Sequence, residues 1–156
     1  MAEDEGGAAV PRRHQIRMTG EEQAAFLRDN SKCALATIDP DGYPHVVAMG
    51  FYVADGAFWM TSYAKAQKVL NIRHNAKVGL MIETGASYAE LQGVMVRGAC
   101  EIIEDVEIVR QVMNHRRSAA ESGRRGALDS APKRVALKIT PHKTVSWDHK
   151  KLGGRY

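Results

Sequence analysis

Residues 61–68 combine several side chains that bind anions. Thr61 and Ser62 bring two hydroxyls to the end of a strand-like apolar segment, and Lys65 and Lys68 follow three residues apart. A helix is predicted to begin at Lys65, so that both ammonium groups share one face of its first turns. The helix N-terminus adds free backbone N–H groups and the positive end of the dipole. Together these groups predict a site for the phosphate of a small molecule.

A purely structural interpretation of the same residues stays open. The hydroxyl of Thr61 or Ser62 could cap the following helix. The two lysines could simply be solvated, as lysines on a short helix usually are.

The composition is that of a single globular domain. The chain has 156 residues, of which 44% are hydrophobic and 26% charged, and this length and balance are typical of one domain. Its net charge of +4 suits anionic ligands but is too small to indicate nucleic acid. No apolar run is long enough to span a bilayer. Cys33 and Cys100 lie in apolar segments without CxxC spacing, which predicts buried thiols in a reducing, cytoplasmic compartment.

Turn and cap residues divide the chain into short elements. Thr19 and Glu22 have the spacing of a capping box at the start of a helix, and Asp105 can cap another helix. Pro40 and Gly42 suit a tight turn between two strands. The predicted strands cover residues 32–38, 43–53, 57–62, 76–83, 88–103 and 133–148, and a helix covers residues 65–72.

One domain is predicted between two terminal tails. Residues 1–16 lack an apolar period, which predicts a disordered N-terminal tail. Residues 150–156 have no period of their own and are predicted to form a C-terminal tail. Residues 118–130 are rich in Ala, Gly, Ser and Arg, which predicts a mobile loop. The domain itself spans residues 17–149.

Six strands joined mostly by hairpins, with few and short helices, indicate a mainly β protein. This arrangement is typical of an antiparallel barrel rather than of a parallel α/β sheet. No GxGxxG motif follows a predicted strand, so the dinucleotide-binding signature of the Rossmann fold is absent.

Several short motifs, in the same order along the chain, resemble the pyridoxamine 5'-phosphate oxidase-like, flavin-binding split-barrel family. They are ALATI (34–38), DGYPHV (41–46), FWMTS (58–62), NAKV (75–78) and GVMVRGAC (93–100). The resemblance covers residues 19–148. The closing segment SWDHKKLGG is similar to that of actinobacterial members that use the deazaflavin coenzyme F420.

The resemblance implies an FMN-binding type of split barrel, antiparallel and of Greek-key topology, with the cofactor at the interface of a homodimer. Lys68 matches the lysine that meets the cofactor phosphate, Thr61 and Ser62 match the strand-end positions beside it, and Lys65 is a second cation. The strand whose backbone lies along the ring corresponds to His45, Val46, Val47 and Ala48. The family's further arginines around the phosphate and its pyridoxal-phosphate-binding residues are not found, which argues against pyridoxamine oxidation itself.

The resemblance also implies an F420-dependent oxidoreductase, in which the reduced coenzyme delivers a hydride to a small organic acceptor. A deazaflavin or flavin brings this chemistry with it, so no catalytic side chain is predicted. The proton could come from solvent, His45 or Tyr63. Two alternatives stay open: an FMN-dependent oxidoreductase of the same fold, and a non-enzymatic protein that binds a cofactor or a tetrapyrrole.

The remaining polar and aromatic residues give weaker indications. Trp147 could fold over the cofactor of the partner subunit or pack in the dimer core. A basic cluster could meet the acidic tail of F420 or be a solvated loop; its members are Arg116, Arg117, Arg124 and Arg125. No aromatic-rich face supports nucleic-acid binding. The six histidines lack metal-ligand spacing, so no metal site is predicted.

Overall fold

Seven antiparallel strands form one curled sheet in the computed structural model, which describes residues 10–120 and 127–154, without the side chains of residues 116–129. The order of strands across the sheet is β2-β1-β5-β6-β7-β4-β3. The strands are β1 (Lys32–Ile38), β2 (Pro44–Gly50), β3 (Tyr52–Ala54), β4 (Ala57–Tyr63), β5 (Lys77–Thr84), β6 (Gln92–Ile103) and β7 (Arg134–Asp148). This architecture confirms the predicted mainly β, antiparallel barrel class.

In the described ranges, four α-helices accompany the sheet: α1 (Arg12–Gln15), α2 (Gly20–Asp29), α3 (Gln67–His74) and α4 (Val106–Ala120). Both predicted caps are confirmed. The hydroxyl of Thr19 accepts from the backbone N–H of Glu22, whose carboxylate accepts from the N–H of Thr19 in return. The carboxylate of Asp105 accepts two N–H groups of the first turn of α4. Short 3₁₀ helices lie at Tyr88–Glu90, Ala127–Lys133 and His149–Leu152, so the fifth predicted strand, over residues 88–103, begins at Gln92 instead.

The predicted strand over residues 43–53 is in fact two strands, which raises the count from six to seven. β2 pairs with β1, whereas β3 pairs with β4 at the other end of the sheet. The chain changes partner at Phe51, which is buried and whose N–H donates to the carbonyl of Ser31. Because β2 and β3 are the two edges of the sheet, this crossing brings the edges together and curls the sheet into a split barrel.

The helix predicted from Lys65 begins two residues later, at Gln67, with Ala66 as its N-cap. Residues 64–66 form a turn, because the N–H of Ala64 donates to the carbonyl of Lys133 and the N–H of Ala66 to that of Tyr63. Lys65 therefore lies outside the helix, and the prediction that it shares a helical face with Lys68 is wrong. No side chain caps α3, so the structural interpretation of the strand-end hydroxyls as caps is wrong as well.

The ends of the described chain pack together, where the sequence predicted tails. α1 lies within the predicted N-terminal tail, and the carbonyl of Ile16 accepts from the N–H of Asp148. At the other end, the ammonium of Lys151 donates to the carbonyl of Arg17 at 2.9 Å and pairs with Glu22. Residues 1–9 and 155–156, and the centre of the predicted mobile loop at 121–126, lie outside the described residues.

The sheet has an inner face and an outer face, and the two are covered differently. The inner face packs with α2 and α3 into the main apolar core, which includes Leu35, Met60 and Leu80. On the outer face, α4 packs over β3, β4 and the first part of β7. We call this part the covered half; it contains Trp59, Thr61, Tyr63 and Ala136.

The rest of the outer face, which we call the bare half, has a central row of small and apolar side chains that remain partly exposed, beside a row that ends in the charged Arg97 and Lys143. The pairing registers align Ala48, Ala34, Met81, Met95 and Val145 in one row across five strands. Val46 and Ala36 lie in the next row. Val46 is 59% exposed and Met81 is 44% exposed. An antiparallel sheet can face water, but its water-facing side is usually polar.

Candidate functional site

Lys68 and Ser62 form the polar centre of the strand–helix junction. Lys68 is the second residue of α3, and its Nζ donates to Ser62 Oγ at 3.4 Å. Ser62 is buried, with only 4% of its surface exposed. Among the described residues Lys68 has no carboxylate partner. An ammonium group that contacts a hydroxyl and no counter-ion can accept a phosphate as its partner.

Thr61 and Ser62 lie on opposite faces of β4, because successive side chains of a strand alternate. Ser62 pairs with Val135 of the main core, so its side chain faces inward beside Lys68. Thr61 pairs with Ala136, which packs under α4 on the covered half. The structure therefore brings Ser62 and Lys68 together and turns Thr61 to the other side of the same strand.

Thr61 lines a groove of about 1150 Å³ that runs between α2, the β2–β3 crossing and α4. Cavities of roughly 300–1,000 Å³ hold ligands of drug size, so this groove has room for a tricyclic ring. Within it the rings of Tyr52 and His115 stack with centroids 3.8 Å apart. Burial raises the pKa of the Tyr52 hydroxyl. The lining includes Ala48, Met49, Tyr52, Thr61, His115 and Arg134.

Arg134 supplies a cation to this groove that the sequence reasoning missed. It is the first residue of β7 and pairs with Tyr63, so its guanidinium stacks 3.9 Å from the centroid of the Tyr63 ring. Its Nε donates to Ser130 Oγ at 2.9 Å. Only the register of β4 against β7 places Arg134 on the same face as Thr61, two residues further along the sheet, so no local pattern in the sequence marks it as a site residue.

The predicted ring strand is β2, which forms one edge of the sheet. His45 and Val47 pair with Thr37 and Leu35 and face inward, whereas Val46 and Ala48 face outward on the bare half. Of these four, Ala48 lines the groove. The Nδ1 atom of His45 is buried and has no hydrogen-bond partner among the described residues.

Two other predicted site residues lie apart from this centre. Lys65 is exposed in the turn before α3. Trp147 lies against Gly93 on the bare half, where a Cβ on Gly93 would come within 2.2 Å of its ring. Trp147 is eleven residues along β7 from Ala136, the partner of Thr61, a separation of about 36 Å along the strand. Within one chain, Trp147 is therefore not placed beside Thr61.

The side chains of the basic cluster lie outside the described residues; they belong to Arg116, Arg117, Arg124 and Arg125. In the part of the chain that is described, no three His, Cys, Asp or Glu side chains are grouped to hold a metal ion. No helix in that part combines the length and the apolar character needed to cross a membrane.

The two cysteines are buried thiols, as predicted. Burial, assisted by the nearby carboxylate of Glu101, raises the pKa of Cys100 to about 12. This thiol stays protonated at neutral pH, which makes it a poor nucleophile.

Comparison with known proteins places the whole barrel in one family. The family model described as pyridoxamine 5'-phosphate oxidase matches residues 19–148. A conserved hypothetical protein from Mycobacterium tuberculosis is 35% identical, with a TM-score of 0.84 over 94% of this chain and 95% of that one. No curated protein matches the chain by sequence.

Two further solved structures share the fold at lower identity. An F420 reductase is 24% identical, with a TM-score of 0.67 over 77% of this chain and 93% of that one. A FAD-binding protein from Mesorhizobium loti is 21% identical, with a TM-score of 0.63 over 83% of this chain and 94% of that one. The family match spans every strand of the sheet and both sides of the groove, so the chain belongs to the pyridoxamine 5'-phosphate oxidase family.

Proposed function

We propose that this protein is an oxidoreductase that uses coenzyme F420 to transfer a hydride to a small organic acceptor. The observation that carries the proposal is the ammonium of Lys68, which contacts the buried hydroxyl of Ser62 and no carboxylate of the described chain. Thr61, the preceding residue of β4, lines a groove with room for a tricyclic ring on the opposite face of the same strand. A bound deazaflavin or flavin would itself supply the hydride chemistry.

The residues of the junction would bind the phosphate of the cofactor. Lys68 and Ser62 would hold it on the inner side of β4. Thr61 and Arg134, which face the groove, would contact it around the end of the strand. Lys65, in the exposed turn between strand and helix, would add a cation at the solvent side. Each of these groups donates hydrogen bonds or carries positive charge, which matches an anion that only accepts.

The edge strand β2 would lie along the ring of the cofactor. An edge strand presents backbone N–H and C=O groups that are not used within its own sheet, and these groups can hydrogen-bond to the polar edge of a flavin-type ring. The residues concerned are His45, Val46, Val47 and Ala48. One face of the ring would pack against the outward-facing side chains of Val46 and Ala48. The acceptor would bind on the opposite face of the ring.

The bare half supports the proposal of a homodimer with a cofactor site at the subunit interface. The row from Ala48 to Val145 is apolar across five strands, and apolar patches of this kind mark protein–protein contacts. A second copy on this face would adjoin Ala48 in the groove. Its Trp147, which is remote from Thr61 in its own chain, could then reach the cofactor of the first copy.

The choice of F420 over FMN is supported by the resemblance of the closing segment SWDHKKLGG and by the fold shared with an F420 reductase. The fold is equally shared with a FAD-binding protein, so an FMN-dependent oxidoreductase is the alternative. The second alternative is a non-enzymatic protein that only binds a cofactor or a tetrapyrrole. Reduced thiols at Cys33 and Cys100 favour a cytoplasmic location.

Purified protein titrated with F420 and with FMN separates these proposals. Tight binding of F420, and oxidation of the reduced coenzyme when quinone, enone or tetrapyrrole acceptors are added, is the expected result. Yellow protein that retains FMN through purification would favour the flavin alternative. Binding without turnover of any acceptor would favour the non-enzymatic one, and binding of neither coenzyme would refute all flavin-type functions.

Replacing Lys68→Ala tests the phosphate site. A charge-assisted hydrogen bond contributes about 1.5–3 kcal/mol, so coenzyme affinity should fall roughly ten- to hundredfold. Fluorescence titration of wild type and variant measures this. Arg73→Ala removes a positive charge from the exposed C-terminal end of the same helix, where it pairs with Glu104, and should leave affinity unchanged. Equal affinity of the Lys68 variant and wild type would contradict the proposal.

A further inference from the structure

A chain of three hydrogen bonds runs through the apolar core from α3 to β2. The side-chain amide of Gln67 donates to Asn71 Oδ1 at 2.8 Å, and Asn71 Nδ2 donates to Thr37 Oγ1 at 3.0 Å. The Thr37 hydroxyl then donates to the backbone carbonyl of His45 at 3.4 Å. Thr37 and Asn71 are both 0% exposed. We call this the Gln67–His45 polar chain.

The polar chain is not explained by stability alone. Its neighbours on the same elements, including Leu35, Val69 and Ile72, belong to the main apolar core. Replacing two buried hydrogen-bonded groups by apolar groups of the same shape is often neutral or stabilising. A hydrogen bond, however, requires a defined distance and direction, whereas apolar packing tolerates small shifts. Buried polar pairs can therefore determine the relative position of elements.

The two ends of the polar chain lie in the two parts of the proposed cofactor site. Gln67 precedes Lys68, and Asn71 follows it by three residues, so the chain holds the helix that presents the phosphate-binding ammonium. His45 is where the proposed ring strand begins, and its carbonyl is held by Thr37. Thr37 belongs to β1, which lies between α3 and β2 and contacts both.

We propose that Thr37 and Asn71 are positioning residues, which set the distance between the phosphate-binding end of α3 and the ring-binding strand β2. This inference rests on the proposed function. A coenzyme that carries both a ring and a phosphate needs both parts of the site at the right separation. A ring without a phosphate needs β2 alone.

The test uses the double variant Thr37→Val/Asn71→Leu, which replaces both buried polar groups by apolar groups of similar size. Thr37→Ser is the matched control, because it keeps the hydroxyl and removes only a methyl group. Thermal unfolding reports whether each variant is folded. Titration of FMN and riboflavin, and of F420 and its phosphate-free chromophore, gives the ratio of affinities with and without the phosphate.

We expect the double variant to unfold within a few degrees of wild type while its affinity ratio falls by about tenfold. Thr37→Ser should keep the wild-type ratio even if it unfolds at a lower temperature. If the two residues served stability alone, the affinities for the forms with and without phosphate would both fall in step with the unfolding temperature. Their ratio would then stay constant. An unchanged ratio in a folded double variant overturns the inference.

If the double variant does not fold, Gln67→Leu tests the inference instead, because Gln67 is exposed and its replacement leaves the core intact. Its ratio should fall by at least twofold, and an unchanged ratio would overturn the inference. Wild-type protein that binds neither coenzyme would refute the proposed function and this inference together. Normal wild-type binding with unchanged ratios in the variants would refute this inference alone.

Discussion

The covered and bare halves of the outer sheet face differ in how far their apolar residues are buried. On the covered half, Val109 and Val112 of α4 and Ala136 of β7 are at most 2% exposed. On the bare half, Val46 and Met81 are 59% and 44% exposed in the single chain. The chain thus provides its own cover for one half. We infer that the other half is covered by a second copy.

The candidate site lies where these two halves meet. Thr61 and Arg134 reach the groove from the covered half, and Ala48 reaches it from the bare half. One wall of the groove is therefore complete within a single chain, whereas the other wall adjoins the surface proposed for the partner. We therefore expect the affinity for a cofactor to depend on dimerisation, even without direct contact between the phosphate-binding residues and the partner.

The largest expected effect concerns the covered half. Val109→Asp places a carboxylate at a position that is 0% exposed under α4. Burial of an unpaired charge belongs to the most damaging class of substitution, so we expect a loss of more than about 4 kcal/mol in the free energy of unfolding. Urea denaturation measures it. Gln111→Asp, on the exposed side of the same helix, should change stability by less than about 0.5 kcal/mol.

The same new charge on the bare half should separate the copies instead of unfolding them. In a dimer, Met81→Asp would desolvate a carboxylate in each subunit, which should weaken association about hundredfold or more. Light scattering coupled to size exclusion measures the mass, and circular dichroism checks the fold. Leu70→Asp, at an exposed position of α3, is the control. A Met81→Asp protein that remains dimeric would show that the bare half is not the interface.

A smaller effect is expected where β6 and β7 pass from one half to the other, at the irregularity beside Arg97 and Gly98. A Cβ on Gly98 would come within 2.4 Å of the carbonyl oxygen of Thr140. Gly98→Ala should therefore cost about 1–3 kcal/mol of stability. Gly79→Ala, on the bare half, meets its nearest atom at 3.7 Å and should be tolerated. Equal denaturation midpoints for the two variants would contradict this account.

The smallest expected effect on stability comes from Cys100, which lies on the inner face where β6 and β7 pass from one half to the other. Its folded pKa of about 12 exceeds the ordinary value of 9.0, so the protonated thiol contributes stability that is complete below pH 9. This contribution is lost as the pH rises from 9 towards 12, and the loss at pH 9.5 is on the order of 1 kcal/mol. Cys100→Ala should remove that pH dependence. Parallel urea titrations of the two proteins at pH 8 and 9.5 would reveal it, and identical pH slopes would argue against it.

Local sequence patterns predicted most elements of this fold. The alternation in residues 32–38 matches β1 in both bounds, and the capping groups of Thr19 and Asp105 start α2 and α4 as expected. These features could be read from the chain because turns, caps and strand alternation depend on neighbours a few residues apart. The anion-binding character of residues 61–68 also came from residue types at short spacing.

The tertiary structure alone decided how these pieces meet. It divided residues 43–53 at Phe51, turned Thr61 and Ser62 to opposite faces, and brought Arg134 beside Thr61. It also joined Asn71 to Thr37, which are far apart in the sequence. Each of these results depends on the register between strands that are distant along the chain. Register is determined by the packing of the whole sheet, because a shift of one residue would turn every side chain of a strand to the other face.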